Sequence, residues 1–469
     1  MIPPAVPAAL HPLVAAFLAD RDGVRAALRR YGSPVHLVFP QIFTANLAAL
    51  RAVLDAGAVR HRICYAHKVN RSVAFAHTAA HAGIAVDVAS TGELRSALSA
   101  GFPADRIEVT GPKGATMLRA AVTATATINV DNLWELATLA ELASPAAAVP
   151  VLLRISGFSG SSPSRFGIDL ADMATALELL VRHRDRLRLL GFAFHLDTAA
   201  TAERVNAVGD CLELIERAYA HGLTPTVLDI GGGLRQVFTA DAGGYDAYDH
   251  ALRAGLLGRG PAMHWGNNTF GYHVAEGMVH GAPVFHKYAN TEPAAGILAE
   301  LLAAPLPGHG GRALAAVLTD NLLDLWLEPG KALVDQAGIT VAQVEFVKQA
   351  GNGATLVHLD LSRDTVTAAD QEVLIDPIVL TDVAESRPAG VYFAGHLCLE
   401  RDLITQRQVR VAQLPSPGDP VVFPNTAAYH TDLSAAQAGM HPTPAKVAVL
   451  QREGQFVLCP DADYRPGGR

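Results

Sequence analysis

From about residue 36 the chain alternates short apolar runs with longer segments in which apolar residues recur every three or four positions. The runs are Val35–Phe39, Ile63–Ala66, Ile84–Val88, Ile107–Thr110, Thr127–Val130, Val151–Ile155, Leu190–His195 and Val227–Ile230. Between two of them, Val205, Val208, Leu212, Ile215 and Tyr219 fall on one face of a helix over 203–222, which Gly222 ends. Ser90 followed by Glu93 fits a capping box opening a helix that stops near Gly101. Strands alternating with helices imply a parallel sheet. About eight such units fit a closed (β/α)8 barrel, although periodicity alone leaves an open sheet standing as well.

The texture changes near residue 340. Residues 339–349, 355–361, 388–394, 406–413 and 446–458 predict strands separated by turns such as Pro415-Ser416-Pro417-Gly418-Asp419, and a helical pattern returns only over 431–439. The expected fold class is therefore α/β plus β, a TIM-type (β/α)8 barrel with a second, mostly-β domain of sandwich or barrel type. The barrel is expected over 35–338. It carries an insertion at about 240–312, because 95 residues separate Gly233 from Glu328 and one barrel unit rarely needs so many. The insertion is rich in Trp265, Phe270, Tyr272, His273, His280, Phe285, His286 and Tyr288. It fits either a packed surface elaboration or a lid over the catalytic face. Residues 1–34 and 339–469 are assigned to the β domain.

Half of the 469 residues are hydrophobic and 17% are charged, as in a compact globular protein. A net charge of −8 argues against a nucleic-acid surface, which needs a basic stripe. Cys64, Cys211, Cys398 and Cys459 are widely spaced with no CxxC pair, so neither a disulfide framework nor a metal site is indicated. The apolar stretch from Ala5 to Leu18 is broken by Pro7, His11 and Pro12, and no positive region precedes it. It reads as neither signal peptide nor membrane span, which predicts a cytoplasmic protein without a membrane partner.

Candidate chemistry lies where apolar runs end. Lys68 follows Ile63-Cys64-Tyr65, at the carboxyl end of an expected strand, where a barrel keeps its catalytic groups. A lysine held there can lose its proton and attack a carbonyl, although most lysines are solvated surface charges. Gly231-Gly232-Gly233 follows Val227–Ile230, and three glycines let backbone N–H groups approach an anion closely. Glu328 follows Leu325-Trp326-Leu327, where a carboxylate is costly unless paired. His195 ends the run Phe192-Ala193-Phe194, a place where histidines are more often satisfied core residues.

In this order, Lys68 in its YAHKVN setting, Asp87 to Glu93, His195, the triple glycine, Glu328-Pro329-Gly330, Cys398 and Tyr429 resemble the pyridoxal-phosphate (PLP) decarboxylases of the alanine-racemase-like fold. That group holds the diaminopimelate, ornithine and arginine decarboxylases, and the resemblance runs over about residues 35 to 445. It favours the closed barrel and implies PLP as cofactor. Lys68 would carry PLP on its amine, Glu328 would face the ring nitrogen, and His195 would stack on the ring. Gly231, Gly232, Gly233, Thr198 and Tyr429 would bind phosphate, with Asp87 and Glu93 lining the site. Cys398 would enter from the partner subunit of a homodimer and return a proton once carbon dioxide has left an amino-acid-like substrate. Departures from the family pattern are plain. Lys331 replaces the arginine of Glu-Pro-Gly-Arg, and Asp197-Thr198 stands for Gly-Ser. Cys398 and Asp402 match the cysteine motif, but Leu399 takes the place of the acid that recognises a distal amine. Glu400, Arg401, Asp402 and Lys331 are therefore the candidate substrate contacts. The alternatives are a racemase or another α-carbon transformation on the same fold, and a non-catalytic PLP-binding protein.

Overall fold

The computed structural model describes residues 2–158, 164–198, 200–284, 289–367, 373–382, 387–434 and 437–467. The chain divides into two compact units, Thr44–Arg235 with Ala294–Leu333 and Arg465–Arg469, and Met1–Phe43 with Gln236–Pro293 and Val334–Tyr464.

The first unit is a barrel. The parallel strands His61–Ala66, Ala85–Val88, Ile107–Val109, Thr127–Val130, Val149–Ser156, Leu187–Ala193, Val227–Asp229 and Asp324–Leu327 pair in sequence order, and the last closes the ring against the first. This ring differs from the expected one at both ends of the series. Val35–Val38 is a strand of the other unit, and the eighth barrel position falls to Asp324–Leu327. Both are short and mostly buried, so neither pattern shows in the sequence which partner each strand chooses. Gly191 lets two strands meet, since a Cβ there would lie 1.8 Å from the Val227 carbonyl oxygen.

Helices cover the barrel. Thr91–Ser99 opens with the expected cap: the Glu93 N–H donates to Ser90 Oγ at 3.1 Å, and the Ala89 N–H donates to the Glu93 carboxylate at 2.7 Å. Thr201–Ala220 buries Val205, Val208, Leu212 and Ile215 as its spacing predicts. Tyr219 departs from that face: it is 47% exposed and donates its hydroxyl to the Pro225 carbonyl at 2.9 Å. Among the described residues, no helix is long and apolar enough to cross a membrane.

The second unit is built on the long strand Gly338–Gln349, which pairs with Val35–Val38, Thr355–Leu359 and Pro420–Phe423. Ala389–Ala394 and Val409–Val411 extend one side, and Ala445–Arg452 and Gln455–Pro460 the other. The single strand expected over 446–458 is thus a hairpin that turns at Glu453 and Gly454, both at positive φ. Over 431–439 the described residues form turns rather than a helix, leading into the 3-10 turn Ala438–Met440; residues 435–436 lie outside the described residues.

Residues 236–293 also belong to this unit, so the expected insertion is divided, and its last helix, Ala294–Ala303, falls in the barrel unit. The helix Ala242–Leu256 places Tyr245, Tyr248 and Leu252 in a core with Val6, Met263, Phe270, Leu374 and Ile375. Arg407 is fully buried there, over the Tyr248 ring and 3.2 Å from Asp376. Trp265 meets Tyr392 edge-on, and His273 stacks on His280 across the hairpin Tyr272–Ala275/Met278–Gly281. Phe285, His286 and Tyr288 lie outside the described residues.

Candidate active site

The carboxyl ends of the barrel strands gather most of the predicted residues. Lys68 sits in the 3-10 turn His67–Val69, directly after the strand His61–Ala66. Its side chain is 36% exposed, and Nζ lies 3.5 Å from the buried carboxylate of Asp87 on the neighbouring strand. The turn is held from beneath: His67 bonds Ser96 through Nε2 at 2.9 Å, and Tyr65 donates to the Asn70 carbonyl.

Glu328 follows the last barrel strand and is 6% exposed. The amide of Asn129, on the strand Thr127–Val130, donates to Glu328 at 3.3 Å and to Glu108 at 3.1 Å. Cys64 Sγ donates to the other Glu108 oxygen at 3.5 Å. Asp229 is fully buried beside them and accepts the Gly231 N–H at 2.7 Å. Burial, and then the charge of Glu328, raise the Asp229 carboxyl well above the ordinary carboxylate range. Burial likewise lifts Asp87 to about 8, with Glu328 adding to the rise and Lys68 opposing it.

The triple glycine is a close-packed cradle. Added Cβ atoms on Gly231, Gly232 and Gly233 would lie 2.5 Å from Phe194 O, 2.6 Å from Glu328 O and 2.2 Å from Leu196 O. Gly231 and Gly233 also hold φ near +65° and +75°, which side-chain-bearing residues rarely adopt. The Gly232 N–H donates to His195 Nδ1 at 3.2 Å, which fixes the ring as an unprotonated acceptor at that nitrogen. His195 is exposed as a residue, and its ring lies against Gly231 and Gly232 of the cradle. Desolvation, followed by the Lys68 charge, pushes its pKa down to about 4.

Asp197 and Lys331, which departed separately from the family pattern, are partners. Lys331 Nζ donates to both Asp197 oxygens, at 2.9 and 3.1 Å. Burial alone would raise the Asp197 carboxyl, but Lys331 overcomes it and holds the pKa below its ordinary value. Thr198 accepts the Ala200 N–H at 3.0 Å, turning the chain into the helix Thr201–Ala220.

Several residues of this site escape a reading for known motifs. They are Glu108, Asn129, Asp229, Arg154 and Arg204. Arg154 lies on the strand Val149–Ser156, 3.9 Å from Asp131 and over the Phe166 ring. Arg204 is 3% exposed and donates to the Gly232 carbonyl at 3.2 Å and to the Leu196 carbonyl at 2.5 Å, tying the glycine loop to the histidine loop. The available signal is a polar residue inside an apolar run, as in Ile107-Glu108-Val109, Leu228-Asp229-Ile230 and Leu153-Arg154-Ile155.

The remaining predicted residues belong to the β-rich unit. Cys398 is exposed with a free thiol, in the loop that follows the strand Ala389–Ala394. Asp402 is 5% exposed; its carboxylate accepts the Leu397 N–H and the Arg363 N–H, each at 2.8 Å. It thereby shapes the loop, which leaves Cys398, Leu399, Glu400 and Arg401 facing solvent. Tyr429 is half-buried at a positive φ of 68°, in the turn after the strand Pro420–Phe423.

An anionic aldehyde cofactor with a pyridine ring needs an amine, a tight glycine cradle and a buried acid. The barrel rim supplies all three, and the buried atoms Asp87 Oδ1, Asn129 Oδ1 and Asp229 Oδ2 have no partner among the described residues. Such a rim on such a barrel defines a PLP enzyme of the alanine-racemase-like class. Residues 43–256 match the pyridoxal binding domain of the pyridoxal-dependent decarboxylases. The uncharacterised protein y4yA of Sinorhizobium fredii is 33% identical over 440 residues, spanning 92% of this chain and 91% of its own. Diaminopimelate decarboxylase of Bacillus subtilis is 25% identical over 92% of this chain and 89% of its own. The crystal structure of diaminopimelate decarboxylase from M. jannaschii in co-complex with L-lysine superposes with a TM-score of 0.69 at 17% identity, covering 93% of this chain and 91% of that one. The chain therefore belongs to the PLP-dependent decarboxylase family, whose members are carboxy-lyases.

Proposed function

We propose that this protein decarboxylates an amino acid or an amino-acid-derived substrate, with Lys68 as the covalent anchor of PLP and Cys398 of a second copy as the proton donor. The observation that carries the proposal is the gathering on one barrel rim of Lys68 beside Asp87, the buried Glu328, His195 and the 231–233 cradle. When bound, PLP supplies an electron sink for the bond that breaks at the substrate's α-carbon.

The chain's own residues divide the remaining work. Glu328 places a buried carboxylate where a ring nitrogen would sit. His195, held neutral by the Gly232 N–H, covers a ring face without adding positive charge. The glycine loop and Thr198 border the phosphate position, with the Gly231 and Gly232 N–H groups already given to Asp229 and His195. Lys331 is bound to Asp197, so it meets phosphate or substrate as one half of a neutral pair rather than as a free cation. The exposed thiol on a loop braced by Asp402 suits delivery to another subunit, which makes the working unit a homodimer. Leu399 at the distal-amine position favours a substrate whose far end is not a simple ammonium group, and Glu400 and Arg401 are the polar groups beside it.

Purified holoprotein incubated with a panel of amino acids should release carbon dioxide from at least one, and Lys68→Ala should abolish that release. Borohydride reduction followed by peptide mapping should leave the cofactor on Lys68. A modified lysine elsewhere would overturn the anchor. Release of a racemised substrate in place of carbon dioxide would overturn the decarboxylation.

A further inference from the structure

Glu108, Asp229 and Glu328 bring three buried carboxylates together, with oxygens within 4.8 Å of one another. Their exposures are 1%, 0% and 6%. Carboxylates this close in a desolvated site cannot all ionise. Cations to offset them are scarce: Lys68 faces Asp87 at 3.5 Å, and Arg154 faces Asp131 at 3.9 Å. The titratable groups that bear on Glu108 from the surrounding strands are Asp229, Glu328, Asp87 and the Cys64 thiol, and none of them is positive. Burial and those acidic neighbours hold the Glu108 carboxyl well above the ordinary range.

The Asn129 amide spans the pair, donating to one oxygen of Glu108 and one of Glu328, so the two head groups are locked side by side. Glu108 is the deeper of the two, which makes Glu328 the easier one to leave charged. The buried oxygens Asn129 Oδ1 and Asp229 Oδ2 lack partners among the described residues, which marks the trio as the lining of a ligand site rather than a closed polar knot.

We propose that Glu108 is a positioning residue that keeps a proton and donates it in a hydrogen bond to Glu328, so that the negative charge of the trio resides on Glu328 and faces the pyridine nitrogen of PLP. This rests on the assignment of Glu328 as the ring-nitrogen partner. Without the Glu108 donor, Glu328 would compete for a proton itself and lose its hold on a cationic ring. An amide at position 108 would keep the donor and discard the titration.

The test uses the full chain with and without PLP. In the apoprotein, a raised folded-state pKa means that the native state retains a proton the unfolded chain has lost. Stability then falls as pH rises from the unfolded value toward the folded one. Glu108→Gln removes that proton, so its melting temperature relative to wild type should shift in the variant's favour as pH rises above the ordinary carboxylate range. In the holoprotein, spectrophotometric titration should give a PLP dissociation constant within about threefold of wild type for Glu108→Gln, and at least about tenfold weaker for Glu108→Leu. A pH-independent difference in melting temperature would overturn the proposal, as would equal loss of PLP affinity in both variants. Stabilisation of wild-type apoprotein, but not of Glu108→Gln, by a divalent cation would also overturn it, since a cation would then neutralise the trio. If Glu328→Gln leaves PLP affinity unchanged, the ring-nitrogen assignment fails, while the apoprotein comparison still reports whether Glu108 holds its proton.

Discussion

His195 shows how a neighbour decides what a side chain can do. Its Nδ1 accepts the Gly232 N–H, and desolvation with the Lys68 charge lowers its pKa to about 4. Between that value and the ordinary 6.5 the unfolded chain binds the proton and the folded one does not, so stability is lost as pH falls through this window and is fully present above it. His195→Gln should therefore narrow the melting-temperature drop between pH 7 and pH 4.5 relative to wild type. Parallel drops in the two proteins would mean that the folded ring titrates freely.

Single residues differ in how readable they are. Lys68 and Glu328 are legible because each follows an apolar run at a strand end. Glu108 and Arg154 are not, because a charged residue alternating with apolar ones looks solvent-facing until the sheet closes and turns that face inward. Asp197 and Lys331 each look like an isolated departure, since residues 134 apart announce no pairing in the sequence.

The helix Thr201–Ala220 does more than cover the barrel. Its first turn carries Arg204 inward to the Gly232 and Leu196 carbonyls, so one guanidinium braces both the cradle and the histidine loop. Arg204→Ala should cost about 3 kcal/mol in urea unfolding, because buried hydrogen bonds from a charged donor are lost and the carbonyls are left unmatched. PLP affinity should fall as well; unchanged affinity would show that the loops hold their positions without the brace. Elements with local signals are read well: Ser90 and Glu93 cap their helix as the spacing says. Elements defined by a partner are read poorly. The hairpin 445–460 looks like one strand because Glu453-Gly454 is a weak turn signal beside the apolar runs that flank it. The pattern over 431–439 has helical spacing, yet the described residues there turn, with Gly439 at positive φ.

Across the whole chain, sequence order and unit membership disagree. Val35–Val38 joins the β-rich unit, and 236–293, which separates the last two barrel strands, joins it as well. The class of each element is legible; its unit is not, because an apolar run does not name its neighbour. The proposed homodimer, with Cys398 completing the site of the other copy, has a direct consequence. Lys68→Ala and Cys398→Ala homodimers should each be inactive or nearly so, and mixing them after reversible dissociation should restore about a quarter of wild-type activity, because half the dimers would carry one intact site. No recovery in a mixture shown by mass to contain heterodimers would place both residues in the same subunit's site.

Among the described residues, the strand Asp324–Leu327 alone bonds both the first barrel strand and the seventh. During translation those seven strands leave the ribosome with two raw edges, and nearly a hundred further residues must be added before the sealing strand exists. Until that strand is made those edges have no partner within the barrel, so a chain cut short before residue 324 would offer them to other sheets.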